Sequence, residues 1–97
     1  MGDKGVKLDI GKIQYDLVPP EALKALAEVL TLGAIKYPAI DNWKFVDNAK
    51  SRYTSALMRH LEAWRAGEIN DPESGLPHLS HVICNAAFLI GTEEKHK

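Results

Sequence analysis

The sequence predicts an all-α domain: a small bundle of three main helices, over about residues 19–35, 51–66 and 77–90, with a long loop between the first two. Three observations carry that prediction. Apolar residues recur at three- and four-residue spacing in three separate windows. Proline or a capping residue stands before each window, with glycine at or near its end. No stretch of credible length alternates apolar and polar residues as a half-buried strand does.

Pro19 and Pro20 open the first helix, because at the first turn a proline lacks only a donor that would go unpaired there. Leu23, Leu26, Val29 or Leu30, and Leu32 form its apolar stripe, Glu21, Lys24 and Glu28 lie opposite, and Gly33 frays or ends it. From Lys36 to Ala49 the run Tyr37, Pro38, Asp41, Asn42, Trp43 and Asp47 has turn residues and no period, which predicts a loop able to carry function. Ser51 is a good N-cap for the second helix, which ends near Ala66 with Gly67 and Pro72 beyond it. Tyr53, Leu57, His60, Leu61 and Trp64 share its inner face. After a polar loop from Asp71 to Gly75, Pro77 starts the third helix and Gly91 stops it. With no internal repeat or low-complexity tract, residues 1–97 read as a single domain in which 1–11 is a flexible or ligand-ordered arm.

A domain of 97 residues buries only about 60 to 65 per cent of its unfolded surface, so three short helices are expected to be completed by self-association into a homo-oligomer. Twelve basic against thirteen acidic side chains give a formal charge of -1, without the field that binds duplex nucleic acid. No apolar run approaches the roughly 18 to 20 residues that span a bilayer, and Met1 to Lys12 lacks the apolar core of a secretory signal. The one cysteine, Cys84, makes no internal disulfide and suits a reducing compartment. A cytoplasmic protein without a membrane segment is expected.

Three of the four histidines fall within two helices, and their phase is informative. Tyr53, Leu57, His60 and Trp64 follow steps of four, three and four, so His60 shares the apolar face of the second helix. His78, His81 and Asn85 follow steps of three and four on the third, beside a core stripe of Leu79, Val82, Ala86 and Ile90. If the two helices pack antiparallel, His60 approaches His78 and His81. Neutral imidazoles so placed can bind one divalent metal ion, with Glu62, Asp71 or Glu73 completing the sphere. The alternative is a set of core or interface histidines satisfied by hydrogen bonds.

Phosphate has candidate partners too. The third helix opens behind Asp71-Pro-Glu-Ser-Gly-Leu-Pro, so its free donors and dipole face that loop, although Ser74 and Gly75 also suit a plain cap and turn. Arg52, Arg59, Arg65 and Lys12 can clamp phosphate oxygens, Arg59 being next to His60. Tyr37 and Trp43 can stack a base, or plug the edge of a small core. Glu21 and Glu28 share a face that reads as solvated, and Cys84 reads as a small buried residue without an activating neighbour.

Several stretches, in order and nearly without gaps over roughly residues 9–89, carry a family resemblance: Lys12-Ile-Gln-Tyr-Asp-Leu-Val-Pro-Pro-Glu-Ala-Leu, Gly33-Ala-Ile-Lys-Tyr, Asn42-Trp43, Arg59-His-Leu-Glu-Ala-Trp, and Asp71-Pro-Glu-Ser-Gly-Leu-Pro-His-Leu-Ser-His. Together they resemble the phage and bacterial dATP/dGTP diphosphohydrolase N-terminal family, of the MazG-like all-α group. The resemblance implies a pyrophosphohydrolase that splits a purine deoxynucleoside triphosphate into monophosphate and pyrophosphate. It implies divalent metal (Mg, Mn or Zn), activated water, a dimer or higher homo-oligomer, and the host cytoplasm as address if phage-encoded. It also implies that Lys12, Asp16, Lys36, Tyr37, Asn42, Trp43 and Arg59 bind the nucleotide, beside His60, Asp71, Glu73, His78 and His81.

MazG-type enzymes place ExxE on one helix and ExxD on the next, where this chain has His60 to Ala63 and His78 to His81. The usual carboxylate cage for magnesium is therefore absent, and Gln14 stands where a basic residue is expected. The sequence expectation is metal on His60, His78 and His81, with catalytic carboxylates among Glu62, Asp71 and Glu73. A non-catalytic protein that binds or sequesters a nucleotide is the main alternative, and an oligomerisation module with a histidine interface is the third.

Overall fold

The computed structural model describes residues 8–37 and 42–95. Within them the chain forms three α-helices, α1 (Pro20–Lys36), α2 (Ala49–Arg65) and α3 (His78–Lys95), and two short 3-10 turns at Tyr15–Leu17 and Asn42–Phe45. Its only β feature among the described residues is an isolated bridge between Asn70 and Pro77. The all-α prediction stands, with the helix boundaries within two residues of those expected except at the end of α3, which runs five residues further. Of the predicted arm, residues 1–7 lie outside the described residues, as do Pro38 and Asp41 of the predicted loop.

Pro20 takes the first helical position of α1 and the Pro19 carbonyl accepts from the amides of Ala22 and Leu23 at 2.9 and 3.3 Å. Gly33 does not end α1. The helix runs on to Lys36 and stops at Tyr37, which is extended as the residue before a proline prefers to be. α2 begins at Ala49, two residues before the expected Ser51, and its N-cap is Asn48 in the left-handed conformation (φ 55°), which asparagine tolerates better than most residues.

The end of α2 positions the site. Gly67 has φ 110°, and this turn lets its amide donate to the Trp64 carbonyl at 2.9 Å and that of Glu68 to Ala63 at 3.0 Å. The chain then folds back as a closed loop: Asp71 and His78 donate through their amides to Leu76 and Ile69 at 2.8 and 2.9 Å. Gly75, with φ 77°, makes its bend.

α3 is the central helix, packing against both α2 and α1. α2 and α3 run antiparallel, so that Tyr53 near the start of α2 meets Phe88 near the end of α3, and His60 meets the first turns of α3. Gly91 does not stop α3, which continues to Lys95. Its role is to admit Trp43, whose ring lies parallel to Phe88 at 5.0 Å: a Cβ on Gly91 would come within 2.5 Å of the indole. In a free helix Gly→Ala stabilises by about 1 kcal/mol. Overpacking here costs about 1–3 kcal/mol, so Gly91→Ala is expected to lower the melting temperature and weaken the near-ultraviolet signal of Trp43. A rise in melting temperature would reject this packing account.

Burial is shallow. Among the apolar residues described only Cys84 is buried, while His78, Ser80 and Asn85 are buried polar neighbours on α3. The stripe expected on α1 is partly uncovered, with Leu26 and Val29 half-buried but Leu23 and Leu30 exposed, and Trp64 of α2 is more exposed than its phase suggested.

Candidate functional site

Helical phase turns His60 of α2 toward His78 and His81, and the closed loop from Glu68 to Pro77 fixes what surrounds them. His78 is 4 % exposed although it stands in the first turn of its helix. Its Nδ1 lies 2.8 Å from Nδ1 of His60, and its Nε2 lies 2.6 Å from a carboxylate oxygen of Glu68. The His60 and His81 rings stack face to face, 4.4 Å apart and 10° from parallel. Nε2 of His81 lies 2.7 Å from the Ser74 hydroxyl and 3.6 Å from the Asp71 carboxylate.

The loop itself is pinned by side chains. Asp71 accepts from the Glu73 amide at 3.2 Å and Ser74 Oγ from the Leu76 amide at 3.1 Å. Asn85 donates through its side-chain amide to the carbonyl of His81 one turn back, at 2.8 Å. Ser74 thus acts as loop brace and histidine partner together.

Burial, and then the neighbouring His81, push the His60 imidazole below its ordinary pKa, with Asp71 pulling the other way. His81 is lowered likewise, by burial first, against Asp71 and with His78 adding to the effect. At Asp71 burial works to raise the pKa. The Glu73 amide and Ser74 hydroxyl, followed by His81 and His60, outweigh it and hold the carboxyl below its usual range. His60 and His81 are therefore neutral at pH 7, and Asp71 is charged. Burial raises the Cys84 thiol to about 11, so it stays protonated, as the sequence predicted for an unactivated residue.

The sequence expected these three imidazoles to hold a metal. Two nitrogens on one ion at about 2.0–2.1 Å in tetrahedral geometry stand roughly 3.3 Å apart, whereas the Nδ1 atoms of His60 and His78 stand 2.8 Å apart, at hydrogen-bond distance. The faces of His60 and His81, not their lone pairs, meet. Among the described residues no group of three or more His, Cys, Asp or Glu side chains is arranged to hold a metal ion. As they stand, the rings fit a hydrogen-bonded cluster better than a ligand sphere.

Of the expected carboxylates, Asp71 joins the cluster. Glu73 is exposed and pairs with Lys36 of α1 at 3.8 Å, which brings Lys36 and its neighbour Tyr37 to the loop. Glu62 points outward to Arg65 at 3.0 Å. Arg59, also exposed, binds Ser55 at 3.0 Å. Trp43 is engaged with Phe88 and Gly91 at the opposite end of the α2–α3 pair, and Asn42 opens the 3-10 turn beside it. Lys12 and Asp16 lie on an exposed segment, Lys12 facing Asp9 at 3.9 Å. A cleft of about 850 Å³ lies at that aromatic end between Trp43, Lys44, Ser51 and Met58, and none of the three histidines lines it. Glu68 is the residue that sequence reasoning missed; only the closure of the loop places it beside His78.

No described helix is long and apolar enough to cross a membrane. No solved structure matches the chain. A protein of Salmonella phage PMBT28 described as dATP/dGTP diphosphohydrolase is 31% identical over 86 residues, which cover 89% of this chain and 29% of that protein. The chain thus spans less than a third of the relative's length. A family profile described as dATP/dGTP diphosphohydrolase, N-terminal, matches residues 2–97, and with that match over almost its whole length the chain belongs to this family.

Proposed function

We propose that the chain binds the triphosphate of a purine deoxynucleotide and hydrolyses it to the monophosphate and pyrophosphate. The observation that supports this reading best is the meeting of neutral His60 and His81 with His78 and charged Asp71, in a chain of a family whose phage member is described as a dATP/dGTP diphosphohydrolase. Neutral imidazoles can accept a proton, while Lys36 and Arg59 supply nearby positive charge for phosphate oxygens. Water forms a new bond to the α-phosphorus, the bond from that phosphorus to the α–β bridging oxygen breaks, pyrophosphate leaves, and the proton of the water passes to the site. The divalent cation of this reading enters with the triphosphate, as part of the substrate.

The test is product analysis with each of the four deoxynucleoside triphosphates in magnesium, manganese or zinc, and with chelator. dATP or dGTP is expected to yield the monophosphate with an equal amount of pyrophosphate. Orthophosphate with a diphosphate, or no product from any nucleotide, would reject the reading. Because the chain spans only 29% of its relative, the second reading is nucleotide binding without turnover: a purine-specific thermal shift with no product would select it.

The same reading includes a homo-oligomer. Leu23 and Ile35 of α1 and Ile90 of α3 are 63%, 79% and 63% exposed, an apolar surface that a second copy would cover. Light scattering at micromolar concentration is expected to give a dimer or larger species, and a monomer would count against it.

A further inference from the structure

We propose that Glu68, His78 and His60 form a directional hydrogen-bond relay that fixes the lone pair of His60 on Nε2 and makes that atom the proton acceptor for the attacking water. The proposal deepens the hydrolase reading and rests on it for the role of base.

The direction follows from what each atom can do. An ionised carboxylate only accepts, so at 2.6 Å the Nε2–H of His78 donates to Glu68. We take the proton between the two Nδ1 atoms, 2.8 Å apart, to be that of His60, donated to the lone pair that the Nε2-protonated tautomer of His78 carries on Nδ1. A neutral His60 with its proton on Nδ1 carries its lone pair on Nε2, and among the described residues that atom has no hydrogen-bond partner. One carboxylate of the loop that follows α2 thus sets the tautomers of two rings in series. A carboxylate that orients a single catalytic histidine works by the same logic, with one imidazole fewer.

His81 is a poorer base in this arrangement, because its Nε2 is already engaged by Ser74 and faces Asp71. Its stacked ring instead fixes the plane of His60. The charged and titratable groups around His60 are Arg59 of its own helix, His78 and His81 of α3, and Asp71 of the loop. Glu68 acts on it through His78, and Glu73 lies near His81. When Nε2 takes the proton of the attacking water, the charge on His60 can be shared through Nδ1–H with His78, whose far nitrogen is held by Glu68.

A buried apolar side chain would fill the place of His78 at lower desolvation cost. Both of its ring nitrogens are nonetheless bonded, one outward to a carboxylate and one inward to His60. A simple loop staple needs the first of these bonds and not the second. Glu68 is a positioning residue here, and His60 the group that would meet substrate.

The test reads tautomers directly. In the 97-residue chain at pH 8, nitrogen-15 spectra of the imidazoles are expected to show His78 protonated on Nε2 and His60 on Nδ1. In Glu68→Ala both rings should drift toward mixed tautomers, with α-helical circular dichroism unchanged. In Glu68→Gln the amide oxygen still accepts from His78, so the tautomers should persist while the charge is lost; kcat should fall about tenfold, part of the 10²–10⁴ that a positioned base supplies, with KM within about twofold. A wild-type His60 protonated on Nε2 overturns the relay whatever the turnover. An equal loss in KM and kcat, or no loss, in an active Glu68→Gln enzyme overturns it too. Correct tautomers in a protein that hydrolyses no nucleotide would overturn the hydrolase reading and leave the relay standing.

Discussion

Replacing His60 by alanine is expected to lower turnover of the purine deoxynucleotide by roughly 100-fold or more, since a base in the right place contributes about 10²–10⁴, while nucleotide affinity changes only a few-fold. The asymmetry follows from position. His60 joins three other groups of the cluster but carries no charge at neutral pH, so its removal takes away a proton acceptor and not a phosphate partner. The fold should survive: the ring is half-buried, and its loss leaves His78 Nδ1 without its donor, a deficit of about 1–3 kcal/mol. Glu62→Gln is the matched contrast. Glu62 belongs to the same turn of α2 but faces Arg65 in solvent, where an ion pair is worth about 0–1 kcal/mol, so turnover should stay within about twofold. Steady-state kinetics on both variants, with nucleotide affinity measured separately, decides the matter. A loss under tenfold in His60→Ala, or a large loss in Glu62→Gln, would move the chemistry to another group.

The contrast between these two residues also marks what a sequence can reveal. His60, His78 and His81 were legible because helical phase is a local property: steps of three and four on two antiparallel helices leave few places for the side chains to go. Gly67 was legible for the same reason, as a left-handed stop at the end of an apolar stripe. Gly91 looked identical and was not a stop, because its meaning is set by Trp43, a residue 48 positions away whose indole needs the space. Glu62 was drawn toward the site by its nearness in sequence to His60, yet two residues along a helix is about 200° of rotation, and it lies with Arg65. Glu68 carried no periodic signal. It reaches His78 through the turn at Gly67 and the bonds from Asp71 to Leu76 and from His78 to Ile69, none of which has a spacing rule of its own. The resemblance named the family, but which ring atoms of the three histidines face one another could not be inferred from phase, since phase brings side chains near one another and does not say which atoms meet.

Acid is expected to separate turnover, stability and nucleotide affinity, because the shifts at the site act on each with a definite sign. Burial lowers His60 and His81 below the ordinary imidazole value of 6.5, so the folded protein resists protonation that the unfolded chain accepts. Between 6.5 and the lower folded values the unfolded state therefore binds more protons, and stability falls as pH falls. Asp71 is also lowered, from 3.8, and its contribution, present above that value, is lost in a second and more acidic window. The melting temperature should be level from pH 8 to about 7, decline below about 6.5, and decline again below about 4. Turnover should follow the first decline, since a protonated His60 accepts nothing. Affinity for the triphosphate should hold or tighten over the same range, because each new imidazolium adds positive charge near Lys36 and Arg59. The double variant His60→Gln, His81→Asn should flatten the first decline in melting temperature and leave the second. Turnover undiminished at pH 5, or a melting temperature that rises between pH 7 and 5.5, would show that these half-buried imidazoles are not held neutral, and that His60 is not the proton acceptor.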